Sequence, residues 1–351
     1  MTEMLGYLET AVERGASDVF VVAGSAASCR IRGQLCHMDG GRLLPPDTER
    51  LIGSLYEMAE RSRDSFRTRG DDDFSFAVPG LARFRVSTYR QRGSEAAVIR
   101  IVSFSIPDYR EIGIPERIMK LAEISHGLVL CTGTAASGKS TTQACIVDRI
   151  NHTRACHVVT LEDPIEFLHR NDRSIISQRE IAIDTEDCIS GLRACLRQAP
   201  DVILLGEMRD AETVKVAMTA AETGHTVFAT LHTSGCVTSI DRVIDVFPAE
   251  QQSQIRIQLA SVLHTVISQQ LIPAKDGTLL PVFEIMVMNS AVRSLIREGR
   301  THQIPAVIAS SAAEGMISMD QSILSLYQDG KITAENALAY AENPEQMKRR
   351  L

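Results

Sequence analysis

The sequence predicts an α/β chain in which a parallel sheet, covered by helices on both faces, follows a smaller α+β domain. Three observations carry that expectation. From Glu116 onward, apolar runs alternate with helix-periodic segments, which is the pattern of βαβ units. One of these units holds a small-residue loop of the phosphate-binding kind between its strand and its helix. Before Glu116 the texture is different, with two helical patterns and several short strands separated by Gly and Pro turns.

The totals are compatible with this. A chain of 351 residues suits two domains of ordinary size. Hydrophobic residues make up 44% and charged residues 23%, which describes a globular protein with ample core. The first 110 residues balance acids against bases, so the net charge of −7 falls on the remainder. An acidic chain with no Trp is poorly suited to tracking nucleic acid, which wants positive grooves and stacking platforms. Every basic residue of the first 110 is arginine. Codon bias explains that, and so does a phosphate-facing role for some of these planar, always-charged forks. The eight cysteines form no CxxC pair, and Cys131 and Cys145 lie in apolar runs. Buried thiols in a reducing, cytoplasmic setting are expected. No stretch approaches 18 apolar residues and the N-terminus lacks a basic, then apolar, leader. Neither a signal peptide nor a spanning helix is expected, so membrane contact would come through a partner.

Taken in order, residues 2–14 have helical spacing, Ser17–Ala23 reads as a strand, and Cys29–Leu35 reads as another with a turn at Gly33. Pro45-Pro46-Asp47 starts a helix whose apolar period runs through Leu51, Ile52, Leu55 and Met58. Asp71–Ala77, Ala82–Thr88 and Ala96–Val102 read as strands, with turns at Pro79-Gly80 and Arg92-Gly93. The expected division is a domain over 1–102, a linker over 103–115 containing Pro107, Gly113 and Pro115, and a second domain over 116–351. In that domain Leu128–Cys131, Val158–Leu161, Val202–Leu205 and Thr226–Ala229 are the strands. Thr141–Ile150, Thr185–Arg197 and Ala211–Thr223 are the helices between them. From about 250 the pattern turns helical (Gln251–Gln269, Ser290–Glu298, Asp320–Asp329, Thr333–Ala341), interrupted by a hairpin-like piece over Leu271–Met288.

Gly133-Thr-Ala-Ala136-Ser137-Gly138-Lys139-Ser140 satisfies GxxxxGK(S/T) in its strand–loop–helix setting. Loop and helix N–H groups, through Thr141, point at phosphates. Lys139 would reach the β- and γ-phosphates of ATP, and the Ser140 hydroxyl would ligate Mg²⁺. Ala136 stands where many such loops carry glycine, so the turn is either ordinary or strained. Ligands of an open α/β sheet bind beyond the carboxyl ends of its strands. Three strand ends there carry polar chemistry. Glu162-Asp163-Pro164-Ile165-Glu166 follows one, as a metal- or water-directing group or a solvated acidic turn. Asp201-Val-Ile-Leu-Leu-Gly206-Glu207 ends in an acid like a Walker B strand, with Gly206 in the place of the usual Asp, so Glu207 acts alone or through water. The third runs from His225 to His232; His232 is either a γ-phosphate sensor or a satisfied core residue. Converging on one phosphate loop, the three favour a RecA-like ATPase.

At these residues the chain resembles the type II/type IV secretion ATPase superfamily. LRQAPDVILLGEMRD (Leu196–Asp210) is similar to its signature, TLEDPIEF (Thr160–Phe167) to its Asp box, and AETGHTVFATLHTS (Ala221–Ser234) to its His box. ARFRVS (Ala82–Ser87), IDRVIDVFPAEQQ (Ile240–Gln252) and AVRSLIREG (Ala291–Gly299) resemble the type IV pilus retraction branch. The resemblance implies a RecA-like P-loop core behind a PAS-like N-terminal domain, a homohexameric ring, and ATP hydrolysis with Mg²⁺ that drives pilus retraction. It implies Glu166 as general base, Glu207 as Walker B acid that with Ser140 serves the metal, and His232 as the His-box residue. It implies that Arg83 and Arg85 reach the ATP phosphates, and that Glu162, Asp163, Arg197, Arg209 and His225 serve as supporting or interface residues. The partners it implies are an inner-membrane pilus platform protein and a sister retraction ATPase, at the cytoplasmic face of that membrane.

Three departures keep alternatives open. The loop reads GTAASGKS where the family has GPTGSGKS, Ala26-Ala27-Ser28 replaces a Pro pair, and the tail from Pro344 to Leu351 resembles accessory retraction ATPases equally well. An accessory retractor, an extension or secretion ATPase, a weakly active nucleotide-binding subunit and a DNA-translocating ring are the competing readings.

Overall fold

The computed structural model describes residues 3–31, 33–38, 40–102 and 105–351. The chain forms two units, one made of residues up to Ser105 together with Glu166–Leu168, the other of Ile106–Ile165 and His169–Leu351. Ser103 and Phe104, at the start of the expected linker, lie outside the described residues.

The first unit is a six-stranded antiparallel sheet with helices on one face. Its strands are β1 (Asp18–Val21), β2 (Ser28–Ile31), β3 (Gln34–His37), β4 (Asp71–Val78), β5 (Ala82–Gln91) and β6 (Ser94–Val102), in the order β3-β2-β1-β6-β5-β4. The segment expected as one strand over Cys29–Leu35 is the hairpin β2–β3, because its turn lets both arms pair antiparallel. Strand alternation decides which residues face the core. On β5, Ala82, Phe84 and Val86 are buried with Leu51, Ile52 and Leu55 of the Pro45–Met58 helix. Arg83 and Arg85, at the intervening positions, share the other face.

The second unit is built on a seven-stranded sheet of β7 (Gly127–Thr132), β8 (His157–Glu162), β9 (Ile175–Glu180), β10 (Val202–Leu205), β11 (Thr226–Leu231), β12 (Leu263–Pro273) and β13 (Leu279–Val287). The order is β13-β12-β7-β11-β10-β8-β9, parallel except for β13. Every residue of β7 and β11 is buried, as expected for strands covered on both faces and written as continuous apolar runs. Within the sheet, two strands differ from expectation. The helix expected to reach Gln269 stops at Val262, and Leu263–Pro273 becomes β12. Its β-branched Thr265-Val266-Ile267 pairs along β7, and Val266 and Ile267 are buried there, so sheet pairing overrides a helix-compatible period. The edge strand β9 has no apolar run to announce it; it exists because it pairs with β8.

The α/β class and the helical C-terminal region both hold. Helices at Ser290–Arg297, Met319–Gln328 and Ala334–Tyr340 sit near their expected places, and the Ile304–Ser310 helix has no counterpart among the expected elements. Ile272, Val282, Ile323, Leu324 and Met347 form a small core that fixes the tail on β12 and β13. Among the described residues, no helix is long and apolar enough to cross a membrane.

Candidate functional site

The loop after β7 leads into the Lys139–Thr153 helix, capped by Gly138 in a left-handed conformation at φ +88°. The first-turn N–H groups of a helix have no intrahelical acceptor, so those of Lys139, Ser140 and Thr141 face the loop's concavity. A Cβ at Gly133 would stand 2.2 Å from the Gln269 carbonyl oxygen and 2.6 Å from Ser137 Oγ. A Cβ at Gly138 would stand 2.8 Å from Gln269 Nε2. Gly133 is therefore required by space as well as by backbone conformation, and Gly138 by its left-handed backbone, since the Gln269 side-chain end could shift aside. Ala136 has φ +60°. The sequence leaves two states open for it, and it adopts the strained one, at about 1–2 kcal/mol for a residue carrying a Cβ.

Lys139 is buried, and its ammonium donates to the carbonyls of Gly133 (2.8 Å) and Thr134 (2.7 Å). Ser137 Oγ is buried with no hydrogen-bond partner among the described residues. A cradle closed by glycines, with a folded-back lysine and an orphaned hydroxyl, fits a phosphate chain. Ser140, half-buried on the first helical turn, fits the place of a hydroxyl ligand to Mg²⁺.

Gln269 is the residue that sequence reasoning misses. It is buried on β12 and accepts a hydrogen bond from Thr142 Oγ1 at 2.8 Å. Assigning 263–269 to a helix hides it; only the pairing of β12 with β7 brings it behind the loop. The same helix also lines a cavity of about 320 Å³, whose walls include Ile106, Pro107, Tyr109, Met119, Cys145 and Asp148. Burial raises the Asp148 carboxyl and pushes the Cys145 thiol up to about 11. Burial likewise holds Cys131 at about 12, so neither cysteine is a nucleophile at neutral pH.

Three neighbouring strand ends meet beside the loop. Gly206 N–H donates to Leu161 O at 2.7 Å, Thr230 Oγ1 donates to Gly206 O, and Met208 N–H donates to Thr230 O at 3.1 Å. This stitching packs the chain tightly around Gly206. A Cβ at Gly206 would press on Leu161 O at 3.2 Å and Glu162 Cα at 3.3 Å. Glu207 bridges two basic side chains: Arg209 Nε donates to one carboxylate oxygen at 2.6 Å, and His232 Nε2 lies 3.4 Å from the other. Glu162 accepts from Thr160 Oγ1 at 2.6 Å and from Gln178 Nε2 at 3.2 Å.

Asp163 stays at these strand ends, its backbone N 3.5 Å from where a Gly206 Cβ would stand, and the other predicted residues fall elsewhere. Asp163 and Glu166 are exposed, and Glu166 belongs with the first unit. Arg197 is exposed and donates to Arg193 O at 3.0 Å. His225 precedes β11, at the opposite end from His232, and its Nδ1 lies 2.9 Å from Ala220 O. A six-residue strand spans roughly 20 Å, so His225 stands away from the phosphate loop. In the first unit Arg83 Nη2 donates to Ser75 Oγ at 3.0 Å, and Arg85 lies directly opposite Arg100 on β6. Like charges in register across strands repel. Asp18 relieves that by accepting from Arg100 Nε at 3.2 Å.

Residues 4–278 match the family model described as "Type II/IV secretion system protein". The chain is 40% identical over 347 residues to the Pseudomonas aeruginosa protein named "Type IV pilus retractation ATPase PilT", covering 98% of this chain and 99% of that one. It is 36% identical to "Type IV pilus ATPase PilU" of the same organism, covering 96% and 88%. Its structure is similar to the crystal structure of the pilus retraction motor PilT with bound ADP, with a TM-score of 0.91 at 41% identity over 99% of this chain and 100% of that one. The ATPase DotB of Legionella pneumophila gives a TM-score of 0.79 at 27% identity, covering 95% and 93%.

Proposed function

This chain belongs to the type II/IV secretion system protein family, and we propose that it is an ATP-hydrolysing motor that powers type IV pilus retraction. The observation that carries the reading is the phosphate cradle of Gly133, Gly138 and Lys139 set beside the Glu207–His232 pair. Similarity along nearly the whole chain to a pilus retraction ATPase supports the choice of motor.

In this reading the loop and helix N–H groups receive the phosphates, and Lys139 leaves the Gly133 and Thr134 carbonyls for the β- and γ-phosphate oxygens. The cavity beside the same helix takes the base. Glu166 accepts the proton of the attacking water. Arg83 and Arg85, on a PAS-like domain over 1–102, spread the developing charge, and residues 103–115 are the linker to an ATPase domain over 116–351. Bound Mg²⁺ neutralises phosphate charge; Ser140 would hold it directly. Glu207, with its oxygens already engaged, would hold it through water. His232 sets the orientation of Glu207, and Arg209 restrains it. This is catalysis by positioning and electrostatics. The working unit is a homohexamer at the cytoplasmic face of the inner membrane, acting on a pilus platform protein.

Steady-state ATPase assays test the enzyme. Lys139→Ala should lose turnover and binding, whereas Glu166→Ala should lose turnover and keep ATP binding. Full hydrolysis by either variant refutes its assignment. Deletion in the host tests the direction of the motor: excess surface pili support retraction, and bald cells would make it an extension ATPase. The accessory reading rests on the strained Ala136 and the likeness to PilU. Negligible turnover by the isolated protein with retained nucleotide binding would favour it.

A further inference from the structure

The loop from Asp163 to Leu168 leaves the end of β8 and carries Glu166. Both of its feet are tied to one side chain on the neighbouring edge strand. Gln178, paired in register with Thr160, accepts from the His169 backbone N–H at 2.8 Å through Oε1. Its Nε2 donates to Glu162 Oε1 at 3.2 Å. Glu162 is itself fixed by Thr160 Oγ1 at 2.6 Å, and its carbonyl accepts from Ile181 N–H at 2.9 Å.

We propose that Gln178 is a positioning residue for Glu166, holding both feet of the six-residue loop so that the carboxylate keeps one place. The inference rests on the reading of Glu166 as general base.

The chemistry of the clamp is selective. It needs a group that accepts from an amide N–H and, on the same planar head, donates to a carboxylate. A carboxamide does both without charge. A carboxylate in its place would face Glu162 with like charge, and an aliphatic side chain would lose the bonds to both the His169 N–H and the Glu162 carboxylate. The ring of His169 is held neutral by burial, its pKa lowered to about 4, so no cation competes for Glu162 from that foot. Misplacing a reacting group by about 1 Å can cost on the order of 100-fold in rate. One clamp residue on a short loop is expected to cost less than that.

The test uses the full chain and ATP. Gln178→Ala should lower kcat about 10-fold while leaving KM for ATP and the affinity for ADP within about 2-fold. In a Glu166→Ala background, the same change should alter the residual rate by less than about 2-fold, because the group it positions is gone. Gln178→Glu should be poorly active at pH 8 and recover as the pH falls. A proton shared between the introduced carboxyl and that of Glu162 restores the donor, and the second oxygen of the new carboxyl still accepts from the His169 backbone N–H. Gln178→Ala activity equal to wild type, or Gln178→Ala and Glu166→Ala effects that multiply, would overturn the clamp. Full turnover by Glu166→Ala overturns the general-base reading and the inference with it.

Discussion

At the carboxyl ends of β7, β10 and β11 polar groups gather at one edge of the sheet: the Lys139 loop, and Glu207 paired with His232. At the amino ends of β8 and β11 the histidines face backbone and hydroxyl groups instead. His157 lies 3.0 Å from Gln198 O and 2.9 Å from Ser177 Oγ, and His225 lies 2.9 Å from Ala220 O. One residue type thus staples connections at one edge and joins a charged cluster at the other. The difference comes from topology. In an open parallel sheet the crossovers diverge at the carboxyl edge and leave a crevice, so side chains there keep capacity for a ligand.

Four substitutions test that contrast. Gly133→Ala drives a methyl into the Gln269 carbonyl at 2.2 Å; with overpacking worth about 1–3 kcal/mol, nucleotide affinity should fall about 100-fold in a fluorescent-nucleotide titration. His232→Ala removes one of the two partners of Glu207 and should lower kcat about 10-fold, with little change in KM. Ala136→Gly should do the reverse of harm. It relieves the left-handed strain and should raise stability by about 0.5–1 kcal/mol net of glycine's entropy, read as a small rise in Tm with ATPase activity retained. His225→Ala should leave kcat and KM within about 2-fold of wild type. A His225 effect as large as that of His232 would erase the distinction between the two edges.

Much of this is written in local patterns. The strand–loop–helix around Lys139 needs only its apolar run and its glycines. The central strands are legible because strands buried on both faces must be continuously apolar, as Val202–Leu205 is. Arg83 and Arg85 are placed on a shared face by strand period alone.

Other features are set by neighbours distant in the chain. Gln269 becomes part of the loop's wall because β12 pairs with β7, against a helical pattern through the same residues. Gln178 reaches both feet of the Glu166 loop because an edge strand without an apolar signal pairs with β8. Gly206 sits where the end of β8 packs tightly, so a Cβ there would press on Leu161 O and Glu162 Cα. Ala136 enters the left-handed region although its own sterics oppose it; the closure of the loop between Gly133 and Gly138 outweighs that local cost. Local periodicity specifies which face of an element is apolar. Which polar groups then meet depends on strand order and register, and no stretch of sequence contains those by itself.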